Sequence, residues 1–460
     1  MEQSKKKKMK KILFLSGKWA DLGGLNKMIS IISSSLSSEY EVLVGSMDIS
    51  KPGEGYALNK NVKYLEFQPS ELYNLPKILV DLNVDILIGS NNCDKAYLNL
   101  YRELKDTNVK SIMWNHEFYF LPFIQKNLWE IALFRREIFQ YPDAVVWLTD
   151  TSTRICRQYS KRVVTIGNCV ADKSYSPNTE KALNIISIGR FDSKQKGIGF
   201  LLCMFAELLK LNSNAYLYIV GKYDLSLRYS DSCTETVQQL LNRLKIPVDK
   251  LKFTGEVKDV YQFLKRSFVN VMTSEMEGFG LTILEAAKCG IPSVIFSGGG
   301  SSDIIVDGVN GCVVKYGDST GMAKRINDLF NNKILYQRMK NEMQKFVNSY
   351  SLQTIKSKWV DLLETVYSGK DIENKGNLSP ETERFISIYE YSLLKNIKSQ
   401  GSFKEYDLFF SPNSLSARPH SKSKILTKIQ KSIIKEGYRK TAKRISLYIF
   451  EKFKEKIAKN

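Results

Sequence analysis

Short apolar runs alternate along most of the chain with longer stretches whose apolar positions recur every three or four residues. The short runs predict buried strands, and the stretches between them predict helices. The predicted strands of the first half are 11–16, 41–46, 62–66, 84–89, 110–114, 144–148 and 162–166. Those of the second half are 184–188, 215–220, 251–254, 268–273, 292–296 and 312–314. The main helices are predicted at 24–36, 198–211, 233–245, 258–266, 280–289, 320–331 and 352–367.

Continuous apolar strands that alternate with helices are typical of parallel sheets covered on both faces. Two such units follow one another, which predicts an α/β protein with two Rossmann-like domains facing a cleft. Ligands of this architecture bind at the carboxyl ends of the strands, so the strand-to-helix loops should carry the chemistry. The predicted domains are 1–170 and 171–368, followed by a polar linker with one helix at 369–421 and a basic amphipathic helical tail at 422–460.

The composition fits a folded cytosolic protein. The chain has 460 residues, of which 43% are hydrophobic, and this length suits two or three domains. Its seven cysteines form no Cys-x-x-Cys pair, which favours reduced thiols over a disulfide framework or a zinc site. The apolar run that follows Lys8 is too short for a signal peptide, and no stretch is long enough for a membrane-spanning helix. We therefore expect a cytoplasmic location.

Positive charge is concentrated at the two ends of the chain. Residues 421–460 hold 13 Lys/Arg and 3 Glu, which gives this segment half of the chain's net charge of +20. Residues 1–11 form a second basic segment. In the tail, Ile445, Ile449 and Phe453 recur at helical spacing, which predicts an amphipathic helix. Such a helix suits an anionic membrane surface, and packing on its own protein is the alternative. Nucleic acid is disfavoured because no nucleic-acid-binding motif accompanies the charge.

Two strand-to-helix loops carry candidate anion-binding groups. Gly23 and Gly24 follow the first predicted strand, where paired glycines let backbone N–H groups approach an anion. A simple tight turn is the alternative there. Arg190 and Lys196 follow strand 184–188 and suit a diphosphate, since Arg offers a fork of donors and Lys a point charge. Two solvated loop cations would explain them without a ligand.

In segment 273–292, the carboxylates Glu277 and Glu285 stand eight positions apart around a turn that contains Gly278 and Gly280. The turn presents free N–H groups, and Glu277 is suited to accept hydrogen bonds from sugar hydroxyls. Glu285 has apolar helical neighbours, where a carboxylate is costly unless it has a partner. A ribose diol would supply that partner, and an exposed helix face is the alternative.

This segment resembles the E-x7-E signature of the retaining GT-B enzymes of glycosyltransferase family 4, also called glycosyl transferases group 1. The likeness continues through 298–300 and 307–311, and it runs back to Gly221 and Gly189. It covers about 184–367 well, whereas the first half matches more loosely. The ordered series of motifs is highly specific and is of the bacterial surface-polysaccharide type.

The resemblance implies roles for the matching residues, and four of them would act in catalysis. These four are His116, Arg190, Lys196 and Glu277. The implied donor-binding residues are Gly23, Gly24, Arg190, Lys196, Val257, Glu277, Gly278, Phe279, Gly280 and Glu285. Val257 would lie near the base, and Gly24 would approach the phosphates from the other domain.

Within this set, Arg190 and Lys196 would hold the donor diphosphate, and Glu285 would hold the ribose. Glu277 and the backbone that follows it would hold the transferred sugar. His116 resembles the histidine that this family points at the donor sugar, and a purely structural histidine is the alternative.

The chain departs from the family pattern at a few points. Asn168-Cys169-Val170-Ala171 stands where Asn-Gly-Val-Asp is usual, which puts the geometry of the interdomain hinge in doubt. Asp303 replaces a common Glu. The chain contains no Asp-x-Asp motif, which commonly holds a divalent metal on the diphosphate. We therefore expect no metal and no other cofactor, with Arg190 and Lys196 in the place of the metal.

The function that these expectations favour is retaining transfer of a sugar from a nucleotide-sugar to a lipid-linked or growing surface-glycan acceptor, as in capsule or lipopolysaccharide assembly. A UDP-sugar is favoured over a GDP-sugar. The enzyme would attach peripherally to the inner face of the cell membrane, with its basic tail on the anionic lipid surface. One alternative is a nucleotide-sugar epimerase, which a chain with two histidines fits poorly. The other is a non-catalytic partner of a transferase, against which the charged site residues argue.

Overall fold

The computed structural model of the protein describes residues 9–21, 23–48, 55–90, 95–124, 129–170, 182–230 and 233–372. The predicted tail at 422–460 lies outside the described residues, as does the predicted linker beyond residue 372. Among the described residues, no helix has the length and apolar character needed to cross a membrane.

Seven parallel strands form the first sheet. They are β1 (Lys11–Ser16), β2 (Glu41–Ser46), β3 (Val62–Glu66), β4 (Ile86–Ser90), β5 (Lys110–Asn115), β6 (Ala144–Trp147) and β7 (Val163–Thr165). Their order is β3-β2-β1-β4-β5-β6-β7. Along β1, Leu13 and Leu15 belong to one apolar layer, whereas Ile12 and Phe14 belong to the other. Both faces of the strand are thus buried, which explains its continuous apolar sequence.

Helices flank this sheet on both faces. They are α1 (Gly24–Leu36), α2 (Leu75–Asp81), α3 (Lys95–Glu103), α4 (Leu121–Ile124), α5 (Trp129–Ile138) and α6 (Asp150–Cys156). Short 3-10 turns occupy Pro69–Asn74 and Leu104–Asp106. Helix α1 begins directly after the loop that follows β1, so Gly23 and Gly24 lie at its amino end.

Six parallel strands form the second sheet, in the order β10-β9-β8-β11-β12-β13. They are β8 (Asn184–Ile188), β9 (Tyr216–Val220), β10 (Leu251–Gly255), β11 (Val269–Met272), β12 (Ser293–Phe296) and β13 (Gly311–Val314). The helices of this half are α7 (Ile198–Leu211), α8 (Val237–Leu244), α9 (Tyr261–Leu264), α10 (Leu281–Lys288), α11 (Ser301–Ile304), α12 (Ser319–Asn331), α13 (Lys333–Asn348) and α14 (Leu352–Ser368), with 3-10 turns at Lys194–Lys196 and Val248–Lys250.

Helix α14 returns to the first sheet. The ring centroids of Trp359 and Trp114 are 4.8 Å apart, and those of Trp359 and Phe14 are 6.4 Å apart. The Tyr40 hydroxyl donates to Glu364 of α14 at 2.9 Å. The end of the predicted second domain, 171–368, therefore packs against the first domain.

The chain passes between the two domains twice, and the two passages lie side by side. The Val170 amide donates to the carbonyl oxygen of Tyr350 at 3.2 Å, and Val170 forms an isolated parallel bridge with Ser351. A Cβ atom on Gly167 would lie 2.7 Å from the Tyr350 ring. The passages are thus in direct contact at the base of the domain interface.

The sequence pattern predicts the strands well and two of the helices less well. Every predicted strand is confirmed to within two residues at each end. Helix α8 begins at Val237 rather than at 233, because the Thr236 side chain caps it by accepting the Gln239 amide at 3.2 Å. Helix α9 covers only Tyr261–Leu264 of the predicted 258–266. The pattern did not predict α2 to α6, α11 or α13.

Candidate functional site

Loops from the carboxyl ends of both sheets meet at the domain interface. A Cβ atom on Gly278, after β11, would overlap the carbonyl oxygen of His116, after β5. Because that neighbour is backbone, only glycine fits at position 278. A Cβ atom on Gly24 would lie 2.8 Å from Leu281 Cδ1 at the start of α10. The loops predicted to line the cleft from opposite domains therefore lie against each other.

The loop that carries Lys196 is fastened to the loop after β11. Thr273 Oγ1 donates to the carbonyl oxygen of Lys196 at 3.0 Å, and the Glu275 amide donates to that of Gln195 at 2.8 Å. Gly197 adopts the left-handed conformation with φ +65°, and a Cβ atom there would overlap the carbonyl oxygen of Thr273. These contacts fix the direction in which the Lys196 side chain leaves its loop.

Lys196 and Glu277 form an ion pair in this site. The ammonium nitrogen lies 3.1 Å from Oε1 and 3.0 Å from Oε2 of Glu277. Both side chains are largely buried, with 20% and 17% of their surface exposed, so the pair is less screened than one on the surface. The structure thus joins the cation predicted for the diphosphate to the carboxylate predicted for the sugar.

The backbone turn after Glu277 is held from behind by the loop after β12. The Gly300 amide donates to the carbonyl oxygen of Glu277 at 2.6 Å. Gly280, with φ +94°, leads into the first turn of α10. The Phe279 ring is buried and lies 5.5 Å from that of Tyr350. Of the predicted sugar-binding segment, Phe279 can therefore contribute its backbone but not its side chain.

Glu285 has a partner that the sequence pattern did not reveal. The Lys27 ammonium, from α1 of the opposite domain, contacts Glu285 Oε1 at 2.5 Å. The Glu285 side chain is 9% exposed, which overturns the exposed-helix alternative. The only signal in the sequence was that Lys27 stands three residues after Gly24, on the same face of the predicted helix.

His116 lies at the end of β5, beside the Gly278 turn. Its ring centroid is 4.2 Å from that of Trp114. Burial lowers the pKa of His116 to about 3, so the imidazole is neutral at pH 7. A neutral imidazole has one hydrogen-bond donor and one acceptor, which suits a sugar hydroxyl.

A buried arginine supports the segment that carries His116. Arg135 of α5 is fully buried, forms an ion pair with Glu117 and donates to the carbonyl oxygen of Tyr119. Burial raises the pKa of Glu117, and the charge of Arg135 opposes that rise. Sequence analysis missed this pair because the two residues are 18 positions apart, on different elements.

Asp303, at which the chain departs from the family pattern, makes a further cross-domain contact. Its carboxylate accepts the Thr151 amide at 2.9 Å and the Thr151 hydroxyl at 2.7 Å. Burial raises the pKa of Asp303 to about 6, although the hydrogen bonds from Thr151 lower it. Asp303 of the second domain thus binds the first turn of α6 in the first domain.

The remaining predicted residues lie at the edges of the site. Arg190 follows β8 in the same loop as Lys196, and its side chain is exposed. Val257 follows β10 and packs, half-buried, against the apolar cluster around β8 and α10. The Gly23 amide donates to the carbonyl oxygen of Asp21 at 2.8 Å, which closes a tight turn before α1. In the described part of the chain, no cluster of three or more His, Cys, Asp or Glu side chains is arranged to hold a metal ion.

Residues 171–346 match the family model of the glycosyl transferases group 1. This part of the chain is therefore similar to a glycosyl transferases group 1 domain. An uncharacterized glycosyltransferase of Haemophilus influenzae is 25% identical over 378 residues, which are 77% of this chain and 100% of that protein. A second relative is the GalNAc-α-(1→4)-GalNAc-α-(1→3)-diNAcBac-PP-undecaprenol α-1,4-N-acetyl-D-galactosaminyltransferase of Campylobacter jejuni. It is 23% identical over 366 residues, 75% of this chain and 96% of that protein.

Solved structures share the fold of this chain. The crystal structure of Anabaena HepE with UDP and glucose superposes with a TM-score of 0.63 and 19% identity, covering 78% of this chain and 100% of that one. Sucrose-phosphate synthase from Thermosynechococcus elongatus superposes with a TM-score of 0.66 and 15% identity, over 78% and 100% of the two chains. With the two parallel sheets, these likenesses confirm the predicted GT-B architecture.

Proposed function

We propose that this glycosyltransferase moves a sugar from a UDP-sugar to a lipid-linked or growing surface-glycan acceptor and retains the anomeric configuration. One observation carries the proposal: at one domain interface, Lys196 pairs with Glu277 beside the turn where Gly278 meets the His116 segment, and Glu285 of the helix that follows this turn pairs with Lys27 of the opposite domain. A cation, two carboxylates and a neutral imidazole are the groups that a diphosphate, a ribose and a sugar require.

The donor is held by groups of both charge signs. Lys196 and Arg190 bind the diphosphate and stabilise the negative charge that develops on the departing UDP. Glu285 accepts hydrogen bonds from the ribose hydroxyls. Glu277 accepts them from the transferred sugar, beside the N–H groups at the start of α10. No metal or other cofactor is proposed, since the two cations supply the charge that a divalent ion would bring.

Retention through a covalent intermediate would need a free carboxylate nucleophile, and the carboxylates of this site are paired with lysines. Lys196 engages both oxygens of Glu277, and Lys27 engages Glu285. We therefore assign front-face attack, in which the bond from the sugar C1 to the β-phosphate oxygen breaks as the acceptor oxygen bonds to C1 on the same face. The acceptor proton passes to a phosphate oxygen of the leaving UDP. His116 positions a hydroxyl of the sugar during this step.

The choice of donor and acceptor is supported by relatives. The HepE crystal structure contains UDP and glucose. The name of the Campylobacter jejuni relative gives an acceptor linked to PP-undecaprenol, and a further relative from Staphylococcus aureus is named as a capsular polysaccharide biosynthesis glycosyltransferase. These names support a UDP-sugar and a lipid-linked saccharide as the first substrates to assay.

The proposal is tested with purified protein, a panel of UDP-, GDP- and ADP-sugars and lipid-linked saccharide acceptors. We expect binding of UDP-sugars above the others, followed by transfer with release of UDP. The configuration of the new linkage is read from the anomeric proton coupling by NMR. An inverted product would contradict the mechanism, and isomerisation of the donor without an acceptor would indicate the epimerase alternative. A protein that binds no nucleotide-sugar would be the non-catalytic partner.

We also propose that the enzyme attaches to the membrane through its basic tail. The basic tail at 422–460 places the enzyme on the anionic inner face of the cell membrane, where a lipid-linked acceptor is found. Deletion of 422–460 should release the protein from vesicles that contain anionic lipid while UDP binding persists. Salt should weaken attachment of the full chain only in part, because salt does not screen the burial of the apolar tail residues Ile445, Ile449 and Phe453. Equal binding of both forms to these vesicles would contradict the role of the tail.

A further inference from the structure

Two helices from opposite domains face each other at their amino ends. Gly24 of α1 lies against Leu281 of α10, with 2.8 Å between an added Cβ atom and Leu281 Cδ1. One turn further along, Lys27 contacts Glu285 at 2.5 Å. The spacings of three residues on α1 and four on α10 keep each pair on one helix face. The two contacts therefore lie one helical turn apart between α1 and α10, and the second contact is an ion pair.

The two side chains of this ion pair differ in their exposure to solvent. The Glu285 side chain is 9% exposed and that of Lys27 is 32% exposed. Burial of a carboxylate this deeply is costly unless it has a partner, and Lys27 supplies one. Tyr56 of the first domain also lies beside the pair: burial raises the pKa of its hydroxyl, the charge of Lys27 lowers it, and the charge of Glu285 raises it. The first domain thus provides both the cation and part of the enclosure of Glu285.

We propose that Lys27 is a donor-site residue contributed by the first domain, and that it couples binding of the nucleotide to contact between the two domains. This inference rests on the proposed function, in which Glu285 binds the ribose. Lys27 holds Oε1 of Glu285, and the other oxygen, Oε2, accepts the ribose hydroxyl. The same carboxylate then connects the nucleotide on one side to α1 on the other.

The coupling has a direct physical reason. With Lys27 present, the Glu285 carboxylate is oriented before the nucleotide arrives, so less ordering is required when the ribose binds. With Lys27 absent, the carboxylate is left buried without its cation and without the contact that orients it toward the ribose. Because the ammonium comes from the opposite domain, nucleotide binding and the α1–α10 contact should strengthen each other by the same factor.

The test is calorimetric titration of the full chain with UDP and, separately, with uridine. Lys27→Met should weaken both ligands by about tenfold, the smaller effect expected for a hydrogen bond to a charged group. Lys27→Arg should recover most of the affinity because it keeps the charge. The matched control is Lys356→Met, which removes a 2.6 Å pair with Glu39 remote from the cleft. This control should bind UDP like the unaltered protein.

A double-mutant cycle then assigns the effect to Glu285. Glu285→Gln should weaken UDP, and adding Lys27→Met to it should cause little further loss, since the two residues act as one unit. Additive losses would overturn the coupling. Weakening of UDP without weakening of uridine would also overturn it, because Lys27 would then act on the diphosphate. If the unaltered protein binds no UDP, the proposed function itself is wrong; if it binds UDP and Lys27→Met binds it equally well, only the role of Lys27 is wrong.

Discussion

The ammonium of Lys196 lies within 3.1 Å of both carboxylate oxygens of Glu277. The two side chains therefore neutralise each other before any donor is bound. A diphosphate that binds Lys196 must share this ammonium with Glu277 or displace the carboxylate. The carboxylate then faces the sugar, where its hydrogen bonds contribute to transfer rather than to nucleotide affinity.

The first prediction concerns Glu277. Glu277→Gln should lower the rate of transfer about 10²–10³-fold, the loss typical when a group that stabilises the transition state is removed. Affinity for free UDP should be unchanged or higher, because Lys196 no longer carries a competing carboxylate. Steady-state kinetics and UDP titration measure the two effects. Loss of UDP binding in this variant would mean that Glu277 holds the nucleotide rather than the sugar.

The second prediction concerns the pH dependence of stability. Burial raises the pKa of Asp303 from 3.8 to about 6, so the folded protein holds this proton more tightly than the unfolded chain does. The contribution of Asp303 to stability is then full below about pH 4 and is lost as pH rises through about 6. Asp303→Asn removes this titration. The melting temperature of the variant relative to the unaltered protein should therefore rise between about pH 4 and 6 and level off above.

Thermal unfolding scans at closely spaced pH values test this expectation. Thr151→Val offers a matched variant, since it removes the hydroxyl donor and keeps the Asp303 carboxyl. In that variant the pH-dependent loss of stability should remain. If the melting temperatures of Asp303→Asn and of the unaltered protein change in parallel across this pH range, Asp303 does not titrate there.

The third prediction concerns the buried pair of Arg135 and Glu117. Arg135→Met should lower the free energy of unfolding by about 3–5 kcal/mol, because it leaves the Glu117 carboxylate buried without its cation. Adding Glu117→Leu should restore much of this loss, since no buried charge then remains. Chemical unfolding measures both variants, and Arg162→Met, which removes a side chain in an exposed contact, is the control. Equal stability of the single and double variants would contradict a coupled pair.

The fourth prediction concerns metal dependence. Transfer should persist in EDTA, because Arg190 and Lys196 are proposed to balance the charge of the leaving UDP. Lys196→Met should abolish most of the activity under the same conditions. Complete loss of transfer on chelation, restored by Mg²⁺ or Mn²⁺, would place a metal ion on the diphosphate.

Much of the fold was predictable because its signals are local. The apolar strand at 11–16 and the glycine-marked start of α1 at Gly24 are where the pattern placed them. The return of α14 to the first domain was not predictable. The sequence around Trp359 predicts an ordinary amphipathic helix, but it does not indicate the surface on which that helix packs. The pairing with Trp114 joins residues about half the chain apart, and periodicity carries no information on such contacts.

The residues of the candidate site also fall into those with a local sequence signal and those without one. Glu277 and Glu285 stand out because their spacing and glycine neighbours lie within one segment of sequence. Lys27 and the Asp303–Thr151 contact do not, since each joins the two domains and depends on how the sheets face each other. Single cations and carboxylates of this kind are common on helix surfaces, so only the structure distinguishes them.

The return of α14 has a consequence for how the protein is made. The chain emerges from the ribosome from its amino end, and domains generally fold as units when they have been synthesised. The surface of the first sheet around Phe14 and Trp114, however, is covered by Trp359. That surface stays open until the whole second domain has been translated. The nascent first domain therefore stays incomplete throughout the synthesis of the second domain, until α14 covers this surface.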